Sequence, residues 1–560
     1  MGEEGGGRSC GTTRELQKLK QQALEYYREN DVPRRLEELL NSTFYLQPAD
    51  VYGHLANCFS KLAKPPTICK VVGKNVLDGL GLLTLQVEIF CTIQNFPKNI
   101  CSVVIATHFE VHENDLPELV EAEGAERLEA VSTAVRWVNE TITKELRGMA
   151  PSNQAEVDQV LRTFFENKVQ EDKERKELEK SLGDSTVPTP SPLISPPPPP
   201  PPAKKNGQRQ GKKDTLTEKP IVPPDPVEPV LCGSMAIGAV SLAVAKTSAI
   251  LGNNPLYLNI SLLKHHQPPP LKAETKKGLN GGKRGQQQIT GKMSHLGCLT
   301  INYDTIEQPL LLIQGICANL GLEMGTDLHL AINCAAHELM DYSRGKYEVM
   351  MGTHKNAAEM VDLYVDLINK FPSIIALIDP FRKEDSEQWD SIYNALGSKC
   401  YIIAGTASKS ISKLLEDGNI SNPKSSGLII KHTNQTTMSD LVEITNLTDS
   451  KKHIAIFGST EGESCDDSLV DLAVGLGVRF IKLGGLSRGE RVTKYNRLFT
   501  IEEELVQNGT LGFKEEHIFS LNEEAEKATE ALEAVATTAG ELPEPPEPIF
   551  PTEVEEPAKT

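Results

Sequence analysis

No run of about 18 apolar residues occurs anywhere in the chain, so no segment is long enough to cross a bilayer as a helix. No C-x-x-C pair occurs either. The eleven cysteines are scattered without regular spacing, which speaks against a zinc ribbon and against a disulfide framework and fits reduced, intracellular thiols. Cations are in deficit, 58 Lys and Arg against 77 Asp and Glu for a net charge of −19, which excludes a general nucleic-acid binder. The first residues, MGEEGGGRSCGTTRELQK, are polar throughout and lack the apolar centre of a secretory signal. These absences lead to the expectation of a soluble, cytoplasmic protein with no nucleic-acid partner and no membrane span.

What is present is long and segmented. At 560 residues the chain exceeds a single ordinary domain. Residues 1–12 are glycine-rich and expected to be disordered. Residues 13–64 read as helical, with Pro33 suited to a first helical turn and Pro48 and Asp50 opening a further amphipathic helix. Two short helices bury little alone, so a dimeric four-helix arrangement is the economical solution. Residues 65–170 carry β-branched, alternating runs followed by a helical pattern, a small α+β domain. Residues 171–230 form a linker, a charged helical run and then PTPSPLISPPPPPPPAKK, best read as a disordered polyproline spacer. Residues 231–515 alternate apolar strands with helices, the pattern of an α/β barrel. A polar stretch, HHQPPPLKAETKKGLNGGKRGQQQITGK, interrupts it near its start, and residues 522–560 make an acidic, disordered tail.

Six strands stand out: LHLAINCA, SIIALIDPF, CYIIAGTA, GLIIKHT, HIAIFGS and VRFIKLGG. In a parallel barrel the chemistry gathers where strands end, here at Asn333, Asp379, Gly405 with Thr406, Lys431, Gly458 with Ser459, and Lys482. Lys431 and Lys482 are the notable pair. A lysine held beside a second cation in a partly dry site can serve as a base near neutral pH, while the other holds an anion. A partly exposed strand-end lysine with no role is the plain alternative for either.

The stretch FGSTEGESCDDSLVDLAVGLGVRFIKLGGLSRGERVTKYNRLFTIEEEL resembles the C-terminal signature of the enolase family. GSMAIGAVSLAVAKTSAILGNNPLYLNI, PSIIALIDPF and GLIIKHTNQTTMSDL are similar to three further family segments. The layout, with a helical extension and a proline-rich linker, is similar to a divergent, sperm-associated vertebrate branch. The resemblance implies an enolase-type α/β barrel and small α+β domain, dehydration of 2-phosphoglycerate to phosphoenolpyruvate in glycolysis, magnesium (Mg2+) as cofactor, and a homodimer or a heterodimer with another enolase. It implies Lys431 as proton acceptor, Lys482 and Ser459 as substrate-binding residues, and Asn333 and Asp379 as the metal candidates. It also exposes departures. The family's three metal carboxylates fall at Asn333, Ile378 and Gly405, its acid-side glutamate near Leu299, its histidine at Ser459, and its mobile serine loop at IATHFEV. No counterpart is found for the glycine-rich histidine loop, whose place the polar insertion takes. A non-catalytic, enolase-shaped scaffold or partner subunit is therefore the alternative to a lyase.

The stretch YYRENDVPRRLEELLNSTFYLQPADVYGHLANCFSKL resembles docking and dimerisation helices of the regulatory-subunit and Dpy-30 type, whose groove takes an amphipathic helix from an anchoring protein. That implies a scaffold partner at residues 13–64 and, with the branch resemblance, a sperm-flagellar location. An ordinary helical hairpin packed on the body is the other reading.

Overall fold

The computed structural model describes residues 9–106, 117–183, 222–224, 228–265, 291–293, 299–301, 303–350, 352–420, 423–458, 463–512, 517 and 519. The PTPSPLISPPPPPPPAKK run, residues 266–290 of the polar insertion, the IATHFEV loop beyond Ala106 and the acidic tail lie outside them.

Three helices open the chain, α1 (Ser9–Glu29), α2 (Val32–Leu46) and α3 (Val51–Leu62). The first begins at Ser9, inside the stretch expected to be unstructured. Pro33 occupies the first turn of α2, where its missing N–H costs nothing, and Asp50 caps α3 by accepting from the Gly53 amide at 2.8 Å. The apolar side chains of these helices find little to cover them. Leu40 is 57% exposed, Phe44 71% and Tyr52 85%, and Thr43 is the buried residue of α2.

A short connection leads into an antiparallel meander, β1 (Thr67–Leu77), β2 (Leu83–Ile93) and β3 (Phe96–Val104). Gln94 and Asn95, both at positive φ, make the two-residue turn whose twist suits a hairpin. One face of the sheet is covered by α4 (Pro117–Trp137), a π turn (Val138–Ile142) and α5 (Thr143–Glu145). Next comes α6 (Gln154–Gly183), packed in its first half and exposed beyond Glu171, where the charged run forms the solvated helix expected of it. The joint of the molecule is α7 (Met235–Leu251), apolar all round and buried at 13 positions between the meander, α6 and the barrel helices.

After α8 (Leu256–His265), a small hairpin of β4 (Gly291–Met293) and β5 (Leu299–Ile301), and α9 (Glu307–Leu320), the parallel sheet begins with β6 (Leu330–Asn333). A three-stranded excursion follows, β7 (Met340–Asp341), β8 (Lys346–Met350) and β9 (Thr353–Lys355). Then strands and helices alternate: α10 (Ala357–Lys370), β10 (Ile374–Ile378), α11 (Ser386–Leu396), β11 (Tyr401–Ala404), α12 (Ile411–Asp417), β12 (Gly427–Ile430) and α13 (Met438–Ser450). They end with β13 (Ile454–Gly458), α14 (Ser468–Leu476), β14 (Phe480–Lys482) and α15 (Gly489–Gln507). All six strands read from the sequence are present, in the order β14-β13-β12-β11-β10-β6 and all parallel.

Among the described residues the six strands curl into half of a barrel, in keeping with the α/β barrel that their alternation with helices leads one to expect. Among the described residues β6 and β14 are its two edges and do not pair. Side chains alternate between its faces. Leu377, Ile402, Leu428, Ile430, Ala455 and Phe457 meet the helices, while Ala376, Ile378, Tyr401, Ile403 and Ile456 form a separate inner cluster with Ile429, Ile454 and Phe480. Phe519 closes that cluster at the strand-start end, its ring 4.9 Å from Tyr401.

Candidate active site

Register sets the geometry of the strand ends. Ile429 pairs with Ile456 and Ile456 with Phe480, so these three share the inner face and one level. Two residues further along each strand stand Lys431, Gly458 and Lys482, with Gly458 paired to Lys482. The two lysines thus flank a strand that offers no side chain between them. Parallel strands lie near 5 Å apart, which separates the two lysine backbones by about 10 Å. The gap is enforced: a Cβ on Gly458 would come within 2.9 Å of Ile429 and 3.9 Å of the Lys431 stem. Lys431 is half-buried and Lys482 exposed. Ser459 and the three residues after it lie outside the described residues.

The other half of the ring of strand ends is different. Ile378 takes the level above Ala376 on the inner face and is 9% exposed. It is a hydrocarbon in the position where the family resemblance calls for a metal carboxylate. Asn333, its neighbour across the β6–β10 pairing, is exposed. Gly405 follows β11 with no side chain, and a Cβ there would meet Asp379 Oδ2 at 2.6 Å.

Asp379 itself is buried at 4% exposure, with φ of +48°, a conformation aspartate tolerates better than most residues. Its Oδ1 accepts from the amides of Gly405 at 2.8 Å and Ala407 at 3.1 Å. Its Oδ2 accepts from the Thr406 amide and the Thr406 hydroxyl, both at 2.9 Å. Successive amides converging on a carboxylate make an anion nest, and here the chain fills its own nest. Asp379 is a loop clamp, a role that nothing in IDPF announced.

Magnesium needs near-octahedral oxygen ligands with carboxylates among them. Ile378 offers no oxygen, Gly405 offers no side chain, and Asp379 points its lone pairs at four hydrogen-bond donors that a cation would have to displace. Among the described residues no three His, Cys, Asp or Glu side chains converge. The residues present do not fit the metal, and Asp379 and Asn333 do not form the cradle expected of them.

The stretch after Lys482 serves the fold. Arg491 Nε and Lys494 Nζ of α15 donate to the buried Glu463 at 3.3 and 3.0 Å, Arg497 forks onto Asp471, and the Glu463 carbonyl accepts from the Gly79 amide of the small domain at 2.7 Å. Arg488 donates to the Gly79 carbonyl from the same side. The basic segment therefore pins α15 and the small domain to the barrel. His432, beside Lys431, is buried against Gly238 of α7, and burial pulls its imidazole down to about 4 despite backbone contacts at Thr436 and Gly238 that raise it. Sequence reading passed over His432, because a histidine after an apolar strand has no distinguishing neighbour.

Comparison with known proteins agrees with this architecture. Residues 275–518 match the family described as Enolase, C-terminal TIM barrel domain. The chain is 76% identical to Enolase 4 of Homo sapiens, over 94% of this chain and 95% of that protein. It is 65% identical to Enolase 4 of Mus musculus over the whole of both, and 46% identical to Enolase 4 of Xenopus laevis over 92% and 96%. The mouse alignment runs to 628 positions against 560 residues here, so that relative carries residues with no counterpart in this chain. With high identity along nearly its full length, the chain belongs to the enolase family.

Proposed function

We propose that the chain binds 2-phosphoglycerate and phosphoenolpyruvate on the ledge formed by Lys431, Gly458 and Lys482, and retains the proton-transfer half of the enolase reaction. The single observation that carries this is the register placing both lysines on one level of the inner face with a side-chain-free strand between them. Lys431 takes the proton from C2 of the substrate, and Lys482 holds the anion in the pose where that proton is within reach. Departure of the C3 hydroxide needs an acid. The family's acid-side glutamate falls near Leu299, so that step lacks the family's acid. Charge on the intermediate also goes without the several kcal/mol that metal ions supply, a deficit worth roughly three or more powers of ten in rate. Proton removal should therefore outrun elimination.

The test is phosphoenolpyruvate formation by the pure chain compared with Lys431→Ala. Slow formation that disappears in the variant supports the reading. Formation unchanged by the substitution points to a contaminating enolase and removes it.

Ile378 and Gly405 favour a second reading, an enolase-shaped scaffold or partner subunit of a glycolytic or cytoskeletal assembly that binds the ligand without turning it over. Binding with no Lys431-dependent chemistry would select it. In both readings the N-terminal helices, with their exposed Leu40, Phe44 and Tyr52, dimerise and receive an amphipathic anchoring helix, and the anchored site is the sperm flagellum. Pairing with a second enolase through the small domain is part of the same proposal, and co-purification of a second enolase with the tagged chain tests it.

A further inference from the structure

We infer that the lysine ledge binds its phosphorylated carboxylate ligand without a divalent metal, so that magnesium leaves the affinity unchanged or lowers it. The inference rests on the reading of Lys431 and Lys482 as the ligand-facing residues. It follows from what the strand ends have become. Where a magnesium ion lies among three carboxylates, the metal supplies much of the charge that meets the ligand. Here those positions are an exposed amide at Asn333, a hydrocarbon at Ile378 and a glycine at Gly405. The one retained carboxylate, Asp379, has both oxygens engaged by the Gly405, Thr406 and Ala407 donors, so its charge is met inside the protein. Among the described residues nothing at this end presents a carboxylate pair that a ligand anion would need a cation to approach.

Lys431 and Lys482 stand at the ends of alternate strands, with an open strand between them. That arrangement suits a small ligand carrying two anionic groups on neighbouring carbons, each lysine reaching inward from a backbone about 5 Å to either side of Gly458. Free magnesium would compete by pairing with the phosphate in solution, which is why it weakens binding or does nothing.

Calorimetric titration of the full chain with 2-phosphoglycerate, once with a chelator and once with excess magnesium, decides the matter. The expected result is a dissociation constant within about twofold in the two buffers or weaker with magnesium, and about 10- to 100-fold weaker for Lys482→Gln, the usual loss for one charge-assisted contact. Lys482→Arg, which keeps the charge, should restore most of the binding. Lys482 is exposed at a strand edge, and a melting curve for each variant confirms that it folds. Binding that appears only with magnesium overturns the inference and leaves the lysine reading standing. Binding in neither buffer by a folded chain removes the reading and the inference together. Affinity unchanged in Lys482→Gln overturns the inference, because the anion would then sit elsewhere.

Discussion

Asp379 is a buried carboxylate that works as a loop clamp. Its carboxylate holds three successive amides and a hydroxyl after β11, so Asp379→Ala leaves several buried donors unmatched. Urea unfolding should show a stability loss of about 2–4 kcal/mol, with Asp379→Asn intermediate. Ile378→Glu restores the family's carboxylate in name. It also places a charge among Ala376, Ile403 and Ile429, so the account predicts a loss of about 2–3 kcal/mol at pH 7 that shrinks when the new carboxyl is protonated, and no magnesium-dependent turnover. His432 gives a pH signature. Its folded value near 4 lies below the 6.5 of a free imidazole, so the unfolded chain accepts a proton that the folded chain refuses. Its contribution to stability is whole above about pH 6.5 and is lost as the pH falls toward 4, by up to roughly 3 kcal/mol. Unfolding midpoints across that window should be flatter for His432→Gln than for the unsubstituted chain.

At the scale of elements, the strands were legible because each is a short apolar run ending in a small or charged residue, and each apolar run became one strand of the sheet. Helix starts at Pro33 and Asp50 were legible for the same local reason: a ring that fixes φ and a side chain that caps. The excursion β7–β9 was not, since its strands are only two to five residues long and carry no sustained alternation. Nor could spacing show that Asp379 would turn onto the β11 loop, because that depends on a backbone at positive φ and a glycine 26 residues later. The start of α1 at Ser9 was missed because the glycines before it dominate the composition. The three N-terminal helices bear directly on assembly. Their open apolar side chains require cover, so the full chain should sediment as a dimer, and Leu40→Asp, a surface change in the single chain, should shift it toward monomer and abolish binding of an amphipathic anchoring helix. A variant that stays dimeric and binds the helix would remove the docking groove.

Taken whole, the molecule has an enolase-type fold in which α7, α15 and the Glu463 cluster hold the small domain against a sheet whose edges, among the described residues, are β6 and β14. The alignment with the mouse relative, longer than this chain, says that a relative of this fold carries residues that are absent here. Lys431 and Lys482 stand at the ends of β12 and β14, and the positions that the resemblance gives to metal carboxylates hold Asn333, Ile378 and Gly405. In the proposed reading, proton transfer survives where metal-assisted elimination does not. Its most direct test is deuterium exchange at C2 of 2-phosphoglycerate in heavy water, measured beside phosphoenolpyruvate formation in the same samples. The account predicts exchange that exceeds product formation, persists in chelator and vanishes in Lys431→Ala. Product formed as fast as exchange and only with magnesium, or exchange untouched by Lys431→Ala, would contradict it.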